Sequence, residues 1–223
     1  MGVHHGGDTV QNNLHSSPVD VVNIALTVSA PDVDVVNIRS CEKVNDVVDD
    51  TRTRLVDSAL RLLREEGLDA VTLRAVGDQT GLSRMAPYRH FADKTALLAA
   101  LALRVVTDLS AHVAGAVLER DGRVERMRAF YTGYVEYAME HPEEYRLVFA
   151  SDFLIGDHPE LEAAIDEVMA ALGMEVTCDQ AASKAGMMAL LSTAHGLAQL
   201  AAAGHLSHKG ISHTDVIDVL VTP

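Results

Sequence analysis

The stretch from Thr72 to Leu98, TLRAVGDQTGLSRMAPYRHFADKTALL, constrains the chain most. It reads as a short helix, a tight turn, a second short helix and the start of a third. Thr72 is placed to cap the first helix, its side-chain oxygen taking one of the N–H groups that a helix start leaves without a partner. Leu73 and Val76, with Ala75 beside them, are its apolar positions. Gly81 supplies the positive-φ residue of a sharp turn. Ser83 is then expected to cap a helix carrying Arg84, Met85, Tyr88, Arg89 and His90. Two short helices around a Gly-containing turn form the helix-turn-helix pattern, whose second helix enters the DNA major groove.

Charge supports that reading only when it is divided along the chain. The formal net charge is −14, which on its own disfavours nucleic acid. Residues 1–50 hold 2 basic and 8 acidic side chains, residues 51–100 hold 8 and 6, and residues 101–223 hold 8 and 18. The one net-positive segment contains the helix-turn-helix pattern. An acidic remainder repels phosphates and leaves that segment as the docking face. Hydrophobic residues make up 48% and aromatics 4%, without Trp, which fits a helical protein better than a sandwich. Apolar runs such as Leu97 to Leu103 are too short to span a bilayer, so no membrane partner is expected. No secretory signal is visible. The two cysteines, Cys41 and Cys178, form neither a metal spacing nor a disulfide framework, and a cytoplasmic location follows.

Residues 1–50 lack helical periodicity and divide from the rest as an arm expected to be disordered, or as a start site placed too early. They contain a repeat: Val19-Asp-Val-Val-Asn-Ile24 recurs as Val33-Asp-Val-Val-Asn-Ile38, and Val44-Asn-Asp-Val-Val-Asp49 is a looser echo. Val-Asp can be encoded GTTGAC and Val-Asn GTCAAC, which are reverse complements. The repeat can therefore be a translated inverted repeat, the symmetry that a two-fold DNA-binding dimer reads, with a true start near Val44 or Val47.

From Thr51 onward the pattern is helical. Leu55, Ala59, Leu62 and Leu63 share one face, and Gly67 closes that helix. After the helix-turn-helix, Asp93 caps a long helix through Leu97, Leu98, Leu101, Val106, Leu109, Val113 and Val117, ending near Asp121-Gly122. Further helices are expected over Val124–His141, Glu143–Phe149 behind Pro142, Pro159–Gly173, Asp179–Gly204 and Thr214–Val221. A loop is expected at Ser151–His158 and a polar connection at His205–His213. Ala181, Ala185, Ala189, Ala194, Ala198 and Ala202 allow another helix to approach closely, as a protomer interface or a buried core helix requires. The fold class is all-α: a helix-turn-helix head over residues 51–98 and a larger helical body over residues 99–223.

Thr51 to Leu98 resembles the DNA-binding domain of the TetR/AcrR family of transcriptional regulators. The matching residues are Thr72, Thr80-Gly81-Leu82-Ser83, Tyr88-Arg89-His90-Phe91, and Lys94 with Leu97-Leu98. Two residues depart from the pattern. Gly77 stands where the family usually has Ala, at an expected cost of about 1 kcal/mol in helix propensity. Pro87 lies early in the second helix, where one missing backbone hydrogen bond is tolerable. YVEYAMEHPEEYRLVF from Tyr134 to Phe149, and Ala194-His-Gly-Leu-Ala-Gln-Leu-Ala201 with Gly204, are similar to the ligand-binding domain of the subgroup named for a Trp-His-Gly signature. This chain keeps His195-Gly196 but has no Trp. The resemblance implies an all-helical homodimer with DNA-binding heads and effector-binding bodies, the last two long helices pairing across the two-fold axis.

The candidate DNA-binding residues are Thr72, Ser83, Arg84, Met85, Tyr88, Arg89 and Lys94. Arg84 is placed for a bidentate contact to guanine. Tyr88 and Lys94 resemble the family's phosphate-contacting positions, and Thr72 can offer a phosphate its hydroxyl or a helix N-terminus. Phe91 and His90 read as packing residues. Met127, Phe130, Tyr131, Tyr134, Tyr145, Phe149, Met188 and His195, with Met187, are the candidates to line an apolar effector pocket; plain core packing is the competing reading. No cofactor, catalytic motif or metal site is expected. His205, His208 and His213 nevertheless leave a metal-responsive regulator open as an alternative, beside a helical small-molecule carrier or enzyme.

Overall fold

The computed structural model describes residues 42–149, 158–177 and 184–222. Among them every regular element is helical: α1 (Glu42–Glu66), a 3₁₀ turn (Leu68–Ala70), α2 (Leu73–Thr80), α3 (Ala86–His90), α4 (Lys94–Leu118), α5 (Arg123–Glu140), α6 (Pro142–Phe149), α7 (Pro159–Thr177), α8 (Lys184–Ala202), a second 3₁₀ turn (Ser207–Lys209) and α9 (His213–Val221). The repeats at residues 19–38, most of the loop expected at Ser151–His158, and the first residues of the helix expected over Asp179–Gly204, Ala181 among them, lie outside the described residues. α1 begins at Glu42, well before the boundary drawn at Thr51, so the Val44–Asp49 echo is helical.

Local chemistry accounts for several helix ends. Thr72 Oγ1 accepts from the Ala75 N–H at 3.1 Å, and Asp93 Oδ1 from the Ala96 N–H at 2.8 Å, as expected of N-caps. Gly81 ends α2 with φ +66°, and Gly67 follows α1 with φ +83°. At α9, Ser212 and Asp215 form a reciprocal capping box.

Ser83 corrects an expectation. Its carbonyl, not its side chain, takes the Ala86 N–H at 2.8 Å. α3 therefore starts at Ala86 with Met85 as an N-cap that makes no side-chain bond. Arg84 and Met85 precede the helix in the turn, and Pro87 occupies its first turn, where its missing N–H costs nothing.

Two apolar cores share α4. The first joins Leu55, Leu63, Val71, Val76 and Phe91 of the head to Leu97, Leu98, Leu101 and Val105 of α4, and also takes in Leu147 of α6 and Leu161 of α7. The second joins Leu109, Val113 and Val117 of α4 to α5, the far half of α7, α8 and α9. α4 thus runs out of the head and into the body, which explains its composition. By length and composition it is the one helix among the described residues that could cross a membrane, and 56% of that stretch is buried inside the fold. The expectation that apolar runs are too short to span therefore fails for α4 as a whole, because its helix is longer than any single run.

The small-residue stripe of α8 divides in two. Ala194 and Ala198 are fully buried in the second core. Ala185, Ala189 and Ala202 are exposed.

Candidate functional site

The head presents a polar face built on α2, α3 and the start of α4. Ser58 of α1, fully buried, donates to Gln79 Oε1 of α2 at 2.7 Å, and Pro87 and Phe91 anchor α3. With those positions turned inward, Ser83, Arg84, Met85, Tyr88, Arg89 and Lys94 are exposed, and Thr72 is half-buried at its cap. Met85 and Tyr88 keep 58% and 49% of their surface, so two large side chains stand exposed on this face. Arg74 pairs with Asp78 at 3.6 Å. Among the described residues Arg84, Arg89 and Lys94 form no ion pair. Phe91 is 3% exposed and carries the Arg52 guanidinium 5.4 Å above its ring, as the packing reading required.

Gly77 and Pro87, the two departures from the family pattern, meet in space. A Cβ built at residue 77 would lie 3.0 Å from Pro87 Cγ and 3.4 Å from Cδ. The proline ring fills the room that an alanine methyl would take, so α2 and α3 approach through this pair.

In the body, α5, α6 and α8 bring together an aromatic group. Phe130 and Tyr134 ring centres are 6.1 Å apart, Tyr134 and Tyr145 are 6.0 Å, Tyr145 and Phe149 are 4.7 Å, and Phe149 and His195 are 5.0 Å. Tyr131 lies against Phe130 at 5.3 Å. Tyr145 Oη shares a 2.5 Å hydrogen bond with His195 Nδ1, and the two hydroxyls of Tyr134 and Tyr145 are 3.5 Å apart. Burial raises the pKa of each of Tyr131, Tyr134 and Tyr145, and lowers that of His195. Every polar group in this cluster is therefore neutral at pH 7, giving hydrogen-bonding handles without charge. Met127, partly buried, packs against the second core.

Met188 does not belong to it. One residue along α8, Met187 is 7% exposed and faces the core, whereas Met188 is 53% exposed and faces out. Successive helix positions lie about 100° apart, so the two methionines cannot share a face.

The polar junction around Glu144 was not singled out from the sequence. This carboxylate is fully buried. Tyr137 Oη donates to its Oε2 at 2.6 Å, Arg64 Nε of α1 donates to its Oε1, and His141 Nδ1 is 3.4 Å from Oε1. It ties the head to the body, and the next residue, Tyr145, belongs to the aromatic cluster. The available signal was an acidic residue one step before a core tyrosine in Glu143-Glu144-Tyr145; the partner lies 80 residues earlier.

His205 and His208 are exposed, and His213 Nε2 is buried without a hydrogen-bond partner. Among the described residues no three His, Cys, Asp or Glu side chains converge as a metal site would require.

Comparison with known proteins matches these two parts separately. Residues 55–101 fit the model of bacterial regulatory proteins of the tetR family, and residues 127–222 fit a tetracyclin repressor-like C-terminal domain. The chain is 26% identical over 106 residues to the HTH-type transcriptional activator FasR of Mycolicibacterium smegmatis, covering 48% of each. It is 40% identical over 77 residues to an HTH-type transcriptional repressor of Mycobacterium tuberculosis, covering 34% of this chain and 38% of that one. The alignments with the first curated relatives span about half of those relatives' length. A Rhodococcus protein of unknown function superposes with a TM-score of 0.58 at 27% identity, over 77% of this chain and 91% of that one. A TetR family regulator from Marinobacter aquaeolei shares the fold, with a TM-score of 0.55 at 18% identity over 79% and 96%. With a helix-turn-helix head and a helical body each matching its own model, the chain belongs to the TetR family of bacterial regulators.

Proposed function

We propose that the protein is a ligand-responsive transcriptional repressor that binds a palindromic DNA operator as a homodimer in the cytoplasm. The observation that carries this reading is the exposed set Arg84, Met85, Tyr88, Arg89 and Lys94, whose cations form no ion pair among the described residues, within residues 51–100, which hold 8 basic and 6 acidic side chains in an otherwise acidic chain. Arg84 and Met85 stand at the leading end of the reading helix, where side chains reach base edges. Tyr88, Lys94 and Thr72 hold phosphates, fixing register without reading sequence.

The second copy docks on α8 and α9. Ala185, Met188, Ala189, Ser192, Gly196 and Leu200 fall on one exposed, uncharged face of α8. Val219 and Leu220 of α9 are 78% and 42% exposed. Small residues let backbones approach, and the large ones fill the seam. A small apolar effector binds at Phe130, Tyr134, Tyr145, Phe149 and His195, whose neutral handles suit a ligand without formal charge. Its effect on DNA is bounded by its differential affinity for the bound and free arrangements of the heads.

The test is binding of the full chain to operator DNA. Arg84→Ala should relax base preference and weaken specific binding by about 1–3 kcal/mol. Tyr88→Ala should weaken binding evenly across sequences. Unchanged affinity and specificity in both variants would refute the interface.

A further inference from the structure

The reading head supplies a reason for the repeat at residues 19–38. We propose that the DNA encoding residues 19–38 is itself an operator for this protein: two inverted repeats of the form GTTGAC-NNN-GTCAAC, each bound by one dimer. This rests on the DNA-binding reading above and adds the sequence that is read.

The argument begins with codons. In Val19-Asp-Val-Val-Asn23 and in Val33-Asp-Val-Val-Asn37, the first and fifth codons can be GTT and AAC, and the second and fourth GAC and GTC. Each pair is reverse-complementary about the central valine codon. Around Val35 the permitted symmetry continues outward: Asp32 with Ile38 (GAT, ATC), Pro31 with Arg39 (CCG, CGG) and Ala30 with Ser40 (GCT, AGC). A protein-level repeat has no need of such pairing between unlike residues.

The spacing fits DNA geometry. Within one repeat the centres of the two hexamers are about 9 base pairs apart, close to the one helical turn that separates the half-sites of two-fold helix-turn-helix dimers. The two repeats begin fourteen residues apart, at Val19 and Val33. At three base pairs per codon this is 42 base pairs, about four turns at roughly 10.5 base pairs each. Both sites therefore face the same side of the duplex, and two dimers bind side by side.

The reading residues fit the hexamer. GTTGAC offers guanines beside thymine methyl groups in the major groove. Arg84 is exposed and outside any ion pair among the described residues, as a bidentate guanine contact needs. Its neighbour Met85, 58% exposed, is an apolar side chain of the kind that packs on a thymine methyl.

Fluorescence anisotropy with the purified full chain tests this, using three duplexes: the gene's own codons 16–41, the same stretch recoded with synonymous codons that break the complementarity, and the native stretch with five base pairs inserted between the repeats. The native duplex should bind at least about 10³-fold more tightly than the recoded one, and Arg84→Ala should narrow that gap. The half-turn insertion should remove cooperativity between the two sites while leaving the affinity of each. Equal binding to native and recoded DNA, or native codons that are not complementary, overturns the proposal; cooperativity that survives the insertion overturns the side-by-side arrangement. Selection from a random duplex pool separates the two levels of failure. Enrichment of a different inverted repeat ends this operator and leaves the DNA-binding reading standing; no enrichment of any sequence ends both.

Discussion

Glu144 and Arg64 form an unequal pair, and the inequality predicts which loss is worse. The Glu144 side chain is fully buried, whereas the Arg64 side chain keeps 45% of its surface. Arg64→Met removes the cation and leaves a carboxylate inside the fold with only the Tyr137 hydroxyl and His141 beside it. Removing one partner of a buried pair costs about 3–5 kcal/mol. The half-exposed position of Arg64 lets water approach, so the lower end, about 3 kcal/mol, applies. Glu144→Gln keeps shape and an acceptor for Tyr137, and the guanidinium left behind turns to solvent. The loss is one charge-assisted hydrogen bond, about 1.5 kcal/mol after screening. The asymmetry is therefore about 1.5 kcal/mol, roughly a tenfold difference in folding equilibrium. Urea unfolding followed by far-ultraviolet circular dichroism measures both, since the chain has no Trp to report by fluorescence. The double variant should be more stable than the sum of the two losses implies, because the orphaned carboxylate is then absent. Equal losses, a larger loss for Glu144→Gln, or strict additivity would refute this account.

Three further outcomes are expected. Gly77→Ala should fail to deliver the stabilisation of about 1 kcal/mol that helix propensity alone predicts, because its methyl meets Pro87 at 3.0 Å; made on a Pro87→Ala background, the same change should deliver it, and a full gain in the unaltered chain would show that the contact does not matter. Burial holds the His195 pKa below its ordinary 6.5, so the unfolded chain takes up a proton first as pH falls. The stability that this residue contributes is complete above about pH 6.5 and is lost on acidification toward the depressed folded value; His195→Gln should lose less stability than the unaltered chain between pH 7 and 5, and parallel curves would contradict the buried-imidazole reading. Met188→Glu places a charge in the proposed α8 seam and should convert the dimer to a monomer in sedimentation, with weaker binding to an inverted repeat; an unchanged dimer would move the interface elsewhere.

Sequence alone determined the elements whose signals are local. Thr72 and Asp93 announced their helices because an N-cap is decided by a side chain and the backbone three residues on. Gly81 announced its turn because few other residues adopt positive φ. The apolar faces of α1 and α4 follow from helical periodicity. Only the tertiary structure decided the rest, because those facts join residues far apart in sequence. Ser83 reads as a cap, yet its carbonyl takes the Ala86 N–H and α3 begins at Ala86 with Pro87 in its first turn. Met187 and Met188 are indistinguishable by composition, and only the helix register against α5 and α7 sends one inward. Gly77 looks like a weakness until Pro87 is seen filling its empty side. Glu144 looks like a surface charge until Arg64 and Tyr137 are brought to it. The alanines of α8 suit either a core or an interface, and packing gave some to each, since close approach is a property of two surfaces and one sequence describes only the first.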